Sequence, residues 1–218
     1  MAKAGGKGAR KGEGAARGAA GGRGRDRDAF PFPGHAAALQ ELCLDPVYPR
    51  IPAQDRGRVA AAAWEKGARA ARQTFAREGG SYVFERICVG RGLAVVRRDI
   101  DCVHGDQRYF SDYVAGRSEI TLYERSCALW AQQNGMDLAR AENLILSHEF
   151  FHFLEWTELG LTSREYQVPM VAIGRLRLGK TGVRALSEIG AHGFARTYHE
   201  LFAAARARTD ETEGTGKA

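Results

Sequence analysis

The chain has 218 residues, 44% of them hydrophobic and 27% charged, which is typical of a soluble globular protein with one domain or two small ones. No segment approaches the roughly 18 uncharged apolar residues that a membrane-spanning helix needs, and the N-terminal region lacks the apolar core of a secretory signal. We therefore expect a cytoplasmic protein without membrane contact, whose four widely spaced cysteines are free thiols.

The positive charge of the chain is concentrated at the N-terminus. Residues 1–28 hold eight Lys and Arg against three Asp and Glu, so they carry +5 of the net charge of +6. The rest of the chain is nearly neutral, whereas a folded nucleic-acid-binding domain needs a basic face. Because residues 1–28 consist almost entirely of Gly, Ala, Lys and Arg, we expect a disordered tail with at most weak, salt-sensitive contact to nucleic acid.

The folded domain is predicted to span residues 29–205, beginning near Phe30-Pro31-Phe32-Pro33, and to be followed by a flexible tail over 206–218. Asp137 is the expected N-cap of its longest central helix. Hydrophobic periodicity and turn residues predict, in chain order, a helix over 55–77 ended by Gly79-Gly80, a strand over 92–100, a hairpin of strands over 108–114 and 118–123, and helices over 126–133, 137–156 and 183–205.

The helix predicted over 137–156 contains His148-Glu149-Phe150-Phe151-His152, an H-E-x-x-H motif. Residues four apart share one face of a helix, so His148 and His152 can bind the same metal ion. Glu149 is rotated by about 100° from His148, which keeps it off the ion but lets it reach a water bound there. The surrounding sequence is apolar on nearly all sides and predicts burial, which is costly for these three side chains unless something binds them. The pattern is typical of zinc-dependent hydrolysis.

A catalytic zinc site needs a third protein ligand. Glu188 is favoured, because it opens a second helical run in which Ile189 and Phe194 argue against full exposure. His199 and Glu158 are the alternatives; Glu158 lies where a related pattern has its third histidine, but that pattern requires a glycine at position 155, which is Glu here. His192, one turn after Glu188, is expected to orient a ligand without touching the metal.

The strand over 119–123, the helix segment over 147–154 and the Glu188-x-x-Ala191-His192-x-Phe194-Ala195 run resemble the ImmA/IrrE-like zinc peptidases. That family carries A-H-E-L-G-H followed by E-x-x-A-N-x-F-A, so Ser147, Phe151 and His192 depart from its pattern. The resemblance implies an α+β, zincin-like domain, dominated by helices, in which a small twisted sheet packs on the metal-binding helix. It also implies Zn²⁺ held by two histidines of the first motif and the glutamate of the second.

A second motif, Gly174-Arg175-Leu176-Arg177-Leu178-Gly179-Lys180-Thr181, matches the phosphate-binding pattern G-x-x-x-x-G-K-[ST]. Its interior is bulky, although such a loop needs small residues so that backbone N–H groups can wrap the phosphates. Too few residues follow Thr181 to build a parallel nucleotide-binding sheet. We therefore expect no bound nucleotide and interpret the segment as a basic connector near the metal site that favours acidic or polar peptides.

The predicted function is zinc-dependent hydrolysis of peptide bonds in a cytoplasmic protein or peptide substrate. Glu149 is the expected general base on the zinc-bound water, and Tyr198 or His199 is a candidate for stabilising the oxyanion. The strand over 119–124 is a candidate sheet edge for an extended substrate. The alternative function is a catalytically inactive metal-binding sensor or interaction protein that keeps the zincin site; the presence of Glu149 favours the enzyme.

The predicted tail gives a first test. Removal of residues 1–28 should change the free energy of unfolding by less than about 0.5 kcal/mol, because the segment lacks core-forming side chains. Chemical denaturation of the full and shortened chains measures the difference. A large, cooperative loss of stability in the shortened chain would mean that these residues belong to the fold.

Overall fold

The computed structural model describes residues 30–173 and 176–215, and the predicted tail over 1–28 lies outside this range. The fold is a mixture of α-helices and small β-sheets in which helices dominate. In chain order the elements are α1 (Ala38–Cys43), α2 (Ala53–Arg77), α3 (Phe84–Gly90), β1 (Ala94–Arg98), β2 (Cys102–His104), β3 (Gln107–Tyr109), β4 (Ser111–Val114), β5 (Glu119–Tyr123), α4 (Glu124–Gln133), α5 (Leu138–Leu154), β6 (Gln167–Ile173), β7 (Leu176–Gly182) and α6 (Ala185–Thr215).

The main sheet has three strands in the order β1-β5-β4. Strand β5 runs parallel to β1 and antiparallel to β4, with Leu122 opposite Ser111. The predicted hairpin at Ala115-Gly116 is confirmed, since β4 and β5 are joined by one turn of 3-10 helix over Ala115–Arg117. The expectation that residues 119–124 form a sheet edge is wrong: β5 is the central strand, and β4 is an edge.

Two predicted segments differ from the structure. The strand predicted over 108–114 is divided at Phe110, so that β3 pairs with β2 and β4 joins the main sheet. Phe110 is buried, and its ring packs 5.6 Å from that of Trp130, which removes this residue from the alternating strand pattern. The last helix, predicted to end near residue 205, continues to Thr215. Its extension contains Ala, Arg and Glu, which favour helix, and no proline.

The G-x-x-x-x-G-K-[ST] motif lies in a β-hairpin. Its first two residues, 174 and 175, fall outside the described range, and the remainder forms β7. Lys180 and Thr181 pair with Pro169 and Val168 of β6. A phosphate-binding loop instead requires these residues at the start of a helix, where free N–H groups face the phosphate. The segment therefore has the wrong backbone for a P-loop.

Helix α5 passes through the centre of the molecule. Every residue from Leu144 to Leu154 is buried, so the predicted burial of the H-E-x-x-H helix is confirmed. Asp137 caps the helix as expected, since its carboxylate accepts a hydrogen bond of 2.7 Å from the backbone N–H of Arg140. At its C-terminal end α5 passes into a turn of π-helix over Glu155–Leu159, which Gly160 ends with φ +73°. None of the helices formed by the described residues is long and apolar enough to cross a membrane.

Helix α6 is held against α2 by glycines. A Cβ atom at Gly67 of α2 would lie 1.9 Å from the carbonyl oxygen of Gly190, and one at Gly193 would lie 2.6 Å from that of Trp64. Gly190 also faces α5, because a Cβ there would lie 2.7 Å from Cε1 of Phe151. The helix backbones therefore approach each other directly, and this approach brings the N-terminal turns of α6 over α5.

Replacement of Gly67 by Ala should destabilise the fold by about 1–3 kcal/mol, because the new methyl group has no space against the α6 backbone. Gly57 provides a matched control on the same helix, since nothing lies within 4 Å of a Cβ there. Gly57→Ala should leave the protein equally stable or stabilise it by up to about 1 kcal/mol through helix propensity. Chemical denaturation compares the two, and equal effects would contradict the close contact.

Candidate metal centre

Helices α5 and α6 bring three predicted ligands together. His148 Nε2 lies 3.3 Å from Glu188 Oε2, and His152 Nε2 lies 3.7 Å from Glu188 Oε1. One ligand atom from each of the three residues lies within 4.8 Å of the others. His148 is fully buried, and the side chain of Glu188 is only 16% exposed. The donor set of two imidazoles and one carboxylate could hold a metal ion, and three ligands leave a fourth position of a tetrahedral site open.

The hydrogen bonding of these side chains fits a bound ion. Within the described residues, Nδ1 and Nε2 of His148 and Nε2 of His152 are buried and form no hydrogen bond. Leaving a buried polar atom without a partner costs about 1–3 kcal/mol, more if it is charged. A cation between the two Nε2 atoms and the carboxylate would give both nitrogens a partner. The residues present therefore fit a metal ion better than they fit a closed hydrogen-bond network.

The charges of the cluster also suit a cation. Burial favours the neutral form of Glu188, but the nearby imidazoles of His148 and His152 outweigh it and lower the pKa of Glu188 to about 2. Burial lowers the pKa of His148, which keeps that imidazole neutral. For His152, burial is outweighed by Glu155 and Glu188, which raise its pKa to about 9. Binding of a cation at His152 must therefore displace a proton.

Glu149 is next to the ligands but does not belong to the cluster. It is fully buried, and its Oε1 accepts a hydrogen bond of 2.7 Å from the hydroxyl of Ser111 on β4. Its second oxygen, Oε2, has no hydrogen-bond partner among the described residues. Burial raises the pKa of Glu149 to about 8, against the opposing effects of His152 and Ser111. A carboxyl group with this pKa and one unbonded oxygen is suited to accept and release a proton near neutral pH.

Glu155 contacts the cluster, which the sequence did not lead us to expect. Its Oε2 lies 3.0 Å from Nδ1 of His152, and its Oε1 accepts hydrogen bonds from the backbone N–H of Thr162 at 2.7 Å and the hydroxyl of Ser187 at 2.9 Å. A hydrogen bond from Nδ1–H to a carboxylate leaves Nε2 of the imidazole free for a metal. Because Ser187 directly precedes Glu188, Glu155 connects His152 with the turn of α6 that carries Glu188. The sequence signal was an acidic residue three positions after His152, on the same helical face.

His192 lies at the cluster but forms no hydrogen bond with a ligand in the described structure. It is 4% exposed, and its ring centroid lies 5.1 Å from that of His148. Burial, with a further effect of His148, lowers the pKa of His192 to about 3, so the ring is neutral. It therefore contacts His148 through its ring and forms none of the orienting hydrogen bonds that were predicted, whereas Glu155 forms one to His152.

The remaining predicted residues lie elsewhere. The hydroxyl of Tyr198 donates a hydrogen bond of 2.6 Å to the carbonyl of Ser81, and Nδ1 of His199 lies 2.8 Å from the hydroxyl of Tyr82. Tyr198 is ten residues beyond Glu188, which is about 15 Å along the helix axis. Neither side chain lies at the cluster, so neither is positioned to stabilise an oxyanion there, and His199 is not placed as a third ligand.

Glu158, the other alternative ligand, is engaged at the surface. It forms ion pairs with Arg77 and Arg91. Its carboxylate is therefore engaged by two arginines of neighbouring elements, and among the three candidates only Glu188 joins the two histidines.

Comparison of the chain with protein-family models, with curated proteins and with solved structures found no match. Function therefore has to be inferred from the side chains of the cluster and from what surrounds them.

The role of Glu155 can be tested by Glu155→Gln. The amide keeps an acceptor for Thr162 and Ser187 but loses the charge that faces His152, so zinc affinity should fall about 10–100-fold. Glu158→Gln is the matched control, because the same change three residues later affects only the surface pair with Arg77 and Arg91. Competition with a chromophoric chelator measures both affinities. Equal zinc affinity in Glu155→Gln and the unaltered chain would contradict the assigned role.

Proposed function

We propose that this chain is a zinc-dependent peptidase and a divergent member of the ImmA/IrrE-like group. The observation that carries the proposal is the separation of two roles on adjacent residues. His148 faces the ligand cluster, whereas Glu149 lies beside it with one oxygen held by Ser111 and the other unbonded. A metal site that only stabilises a fold is normally closed by four protein ligands and has no need for a neighbouring base.

In this proposal His148 and His152, through Nε2, and Glu188 hold the zinc. When bound, zinc supplies Lewis acidity, which lowers the pKa of a water ligand and polarises a carbonyl. Glu149 Oε2 accepts a proton from the water that attacks the peptide carbonyl and passes it to the leaving amine nitrogen. The hydroxyl of Ser111 holds Oε1 during both transfers, so the carboxylate keeps one orientation. Glu155 keeps the imidazole of His152 in the tautomer that exposes Nε2.

The sheet offers a place for an extended substrate. Strand β4 is an edge of the main sheet, and its Ser111 touches the base. A peptide that adds to β4 by backbone hydrogen bonds would pass close to Glu149, and strand addition of this kind recognises main chain in any sequence. Strand β4 therefore replaces β5 as the candidate strand for substrate addition, because β5 lies in the middle of the sheet.

One observation favours the alternative, an inactive metal-binding protein. His148 and Glu149 are fully buried and His152 is 4% exposed, so a polypeptide cannot reach them without a local movement. Both functions predict a bound metal ion, and only the peptidase predicts turnover that depends on Glu149.

Two substitutions separate the base from a ligand. Glu149→Gln should retain zinc, because the residue is not a ligand, and should lower hydrolysis by about 10²–10⁴-fold, because the amide cannot accept the proton. Glu188→Ala should lose zinc, with activity falling as a consequence. Zinc content is measured by elemental analysis, and hydrolysis by mass spectrometry of a proteome-derived peptide library.

Glu142→Gln is the matched control for Glu149→Gln. It makes the same change on α5, seven residues earlier, where Glu142 pairs with Arg97 near the surface. It should alter neither zinc content nor hydrolysis. Loss of zinc in Glu149→Gln would show that this residue is a ligand, and unchanged hydrolysis would remove it as the base.

A further inference from the structure

The segment Phe30-Pro31-Phe32-Pro33, which we call the strap, lies against the metal centre. Phe32 is 8% exposed. Its ring centroid lies 5.3 Å from that of Trp130, 5.4 Å from that of His148 and 5.5 Å from that of His192, on which it stacks. We call these three neighbours the aromatic slot. Phe32 thus fills a slot that one of the metal ligands helps to form.

The strap is held by side chains alone. No backbone hydrogen bond joins residues 30–33 to any other part of the described chain. Pro31 and Pro33 have no N–H group to donate. Phe30, at the outer end, packs 5.3 Å from the ring of His199 and lies under the guanidinium of Arg196 at 5.6 Å. Because no sheet or helix hydrogen bond has to break, the strap can leave the slot when the ring contacts of Phe30 and Phe32 alone are lost.

Phe32 differs in its setting from the other phenylalanines of the hydrophobic core. Phe84, Phe150 and Phe194 lie on helices and pack on one another. Phe32 belongs to a bent segment outside any helix or strand, and two of its ring neighbours are histidines of the candidate metal centre.

We propose that the aromatic slot binds an aromatic side chain of the substrate, and that Phe32 occupies it as an internal stand-in which must leave before cleavage. The proposal rests on the proposed peptidase function and names its substrate class: polypeptides with Phe, Tyr or Trp beside the bond that is cut. Tilted and offset rings at 5.3–5.5 Å favour an aromatic occupant over an aliphatic one. The same occupancy covers the ring of His148 in this structure.

The test uses the full, zinc-bound chain that carries Glu149→Gln. This variant should bind peptides without cutting them. Residue 32 is replaced by 4-fluorophenylalanine, and the ¹⁹F spectrum is followed during titration with a blocked hexapeptide that contains one Phe among alanines. The fluorine signal should move towards that of free 4-fluorophenylalanine. The matched peptide with Leu in place of Phe should move the fluorine signal less, and the one with Ala should not move it.

A second measurement uses a variant that lacks the ring of Phe32. In the Glu149→Gln background, Phe32→Ala should bind the Phe peptide about ten-fold more tightly or better, because the slot no longer has to be vacated first. Phe75→Ala is the control: Phe75 is a partly buried ring that packs on Tyr198, away from the slot, and its loss should not change peptide affinity. Thermal melting verifies that both variants are folded.

The outcomes separate this proposal from the proposed function. A fluorine signal that stays in place while the Phe peptide binds, or equal affinity of Phe32→Ala and Phe75→Ala for that peptide, would overturn the stand-in role even if the enzyme hydrolyses peptides. Displacement of Phe32 by the Phe peptide without hydrolysis by the unaltered chain would support the slot and contradict the peptidase. If Phe32→Ala does not fold, the fluorine measurement decides alone.

Discussion

The burial of polar side chains on α5 is the constraint on which the rest of the structure depends. His148, Glu149 and His152 lie in the most apolar helix of the described chain, and four of their nitrogen and oxygen atoms have no hydrogen-bond partner there. Such an arrangement is unfavourable by several kcal/mol unless a ligand compensates it. A metal ion bound with Glu188 would compensate the Nε2 atoms of both histidines, and a water bound to it would compensate the free oxygen of Glu149. The chemistry proposed for the protein follows from this requirement.

The surroundings of α5 serve the same centre. Gly67, Gly190 and Gly193 let α6 approach α2 closely enough to present Glu188 to the two histidines. Glu155 connects His152 with the loop after α5 and with Ser187. The three candidate ligands are therefore fixed by contacts outside the cluster, and such contacts would maintain the geometry of a metal site while leaving one position open.

The parts of this arrangement that depend on local sequence could be predicted. The H-E-x-x-H spacing, the apolar character of α5, the Asp137 cap and the candidacy of Glu188 follow from helical periodicity. The parts that depend on contacts between distant segments could not. Helix α3 has only seven residues, too few for a periodic signal, and the parallel pairing that makes β5 central joins segments about 25 residues apart. Glu155, which the motif comparison treated as a missing glycine, acquires its role only because a π-turn folds the chain back so that Thr162 and Ser187 reach it.

X-ray absorption spectroscopy at the zinc edge tests the central claim most directly, since it reports which atoms surround the ion. For the full chain reconstituted with one equivalent of zinc, the account predicts two imidazole nitrogens together with oxygen ligands, all at about 2.0–2.2 Å. A sulfur atom at about 2.3 Å, which would place the ion at a cysteine, would contradict it. So would a first shell of oxygen atoms alone, because His148 and His152 would then be buried without the partner that the fold requires.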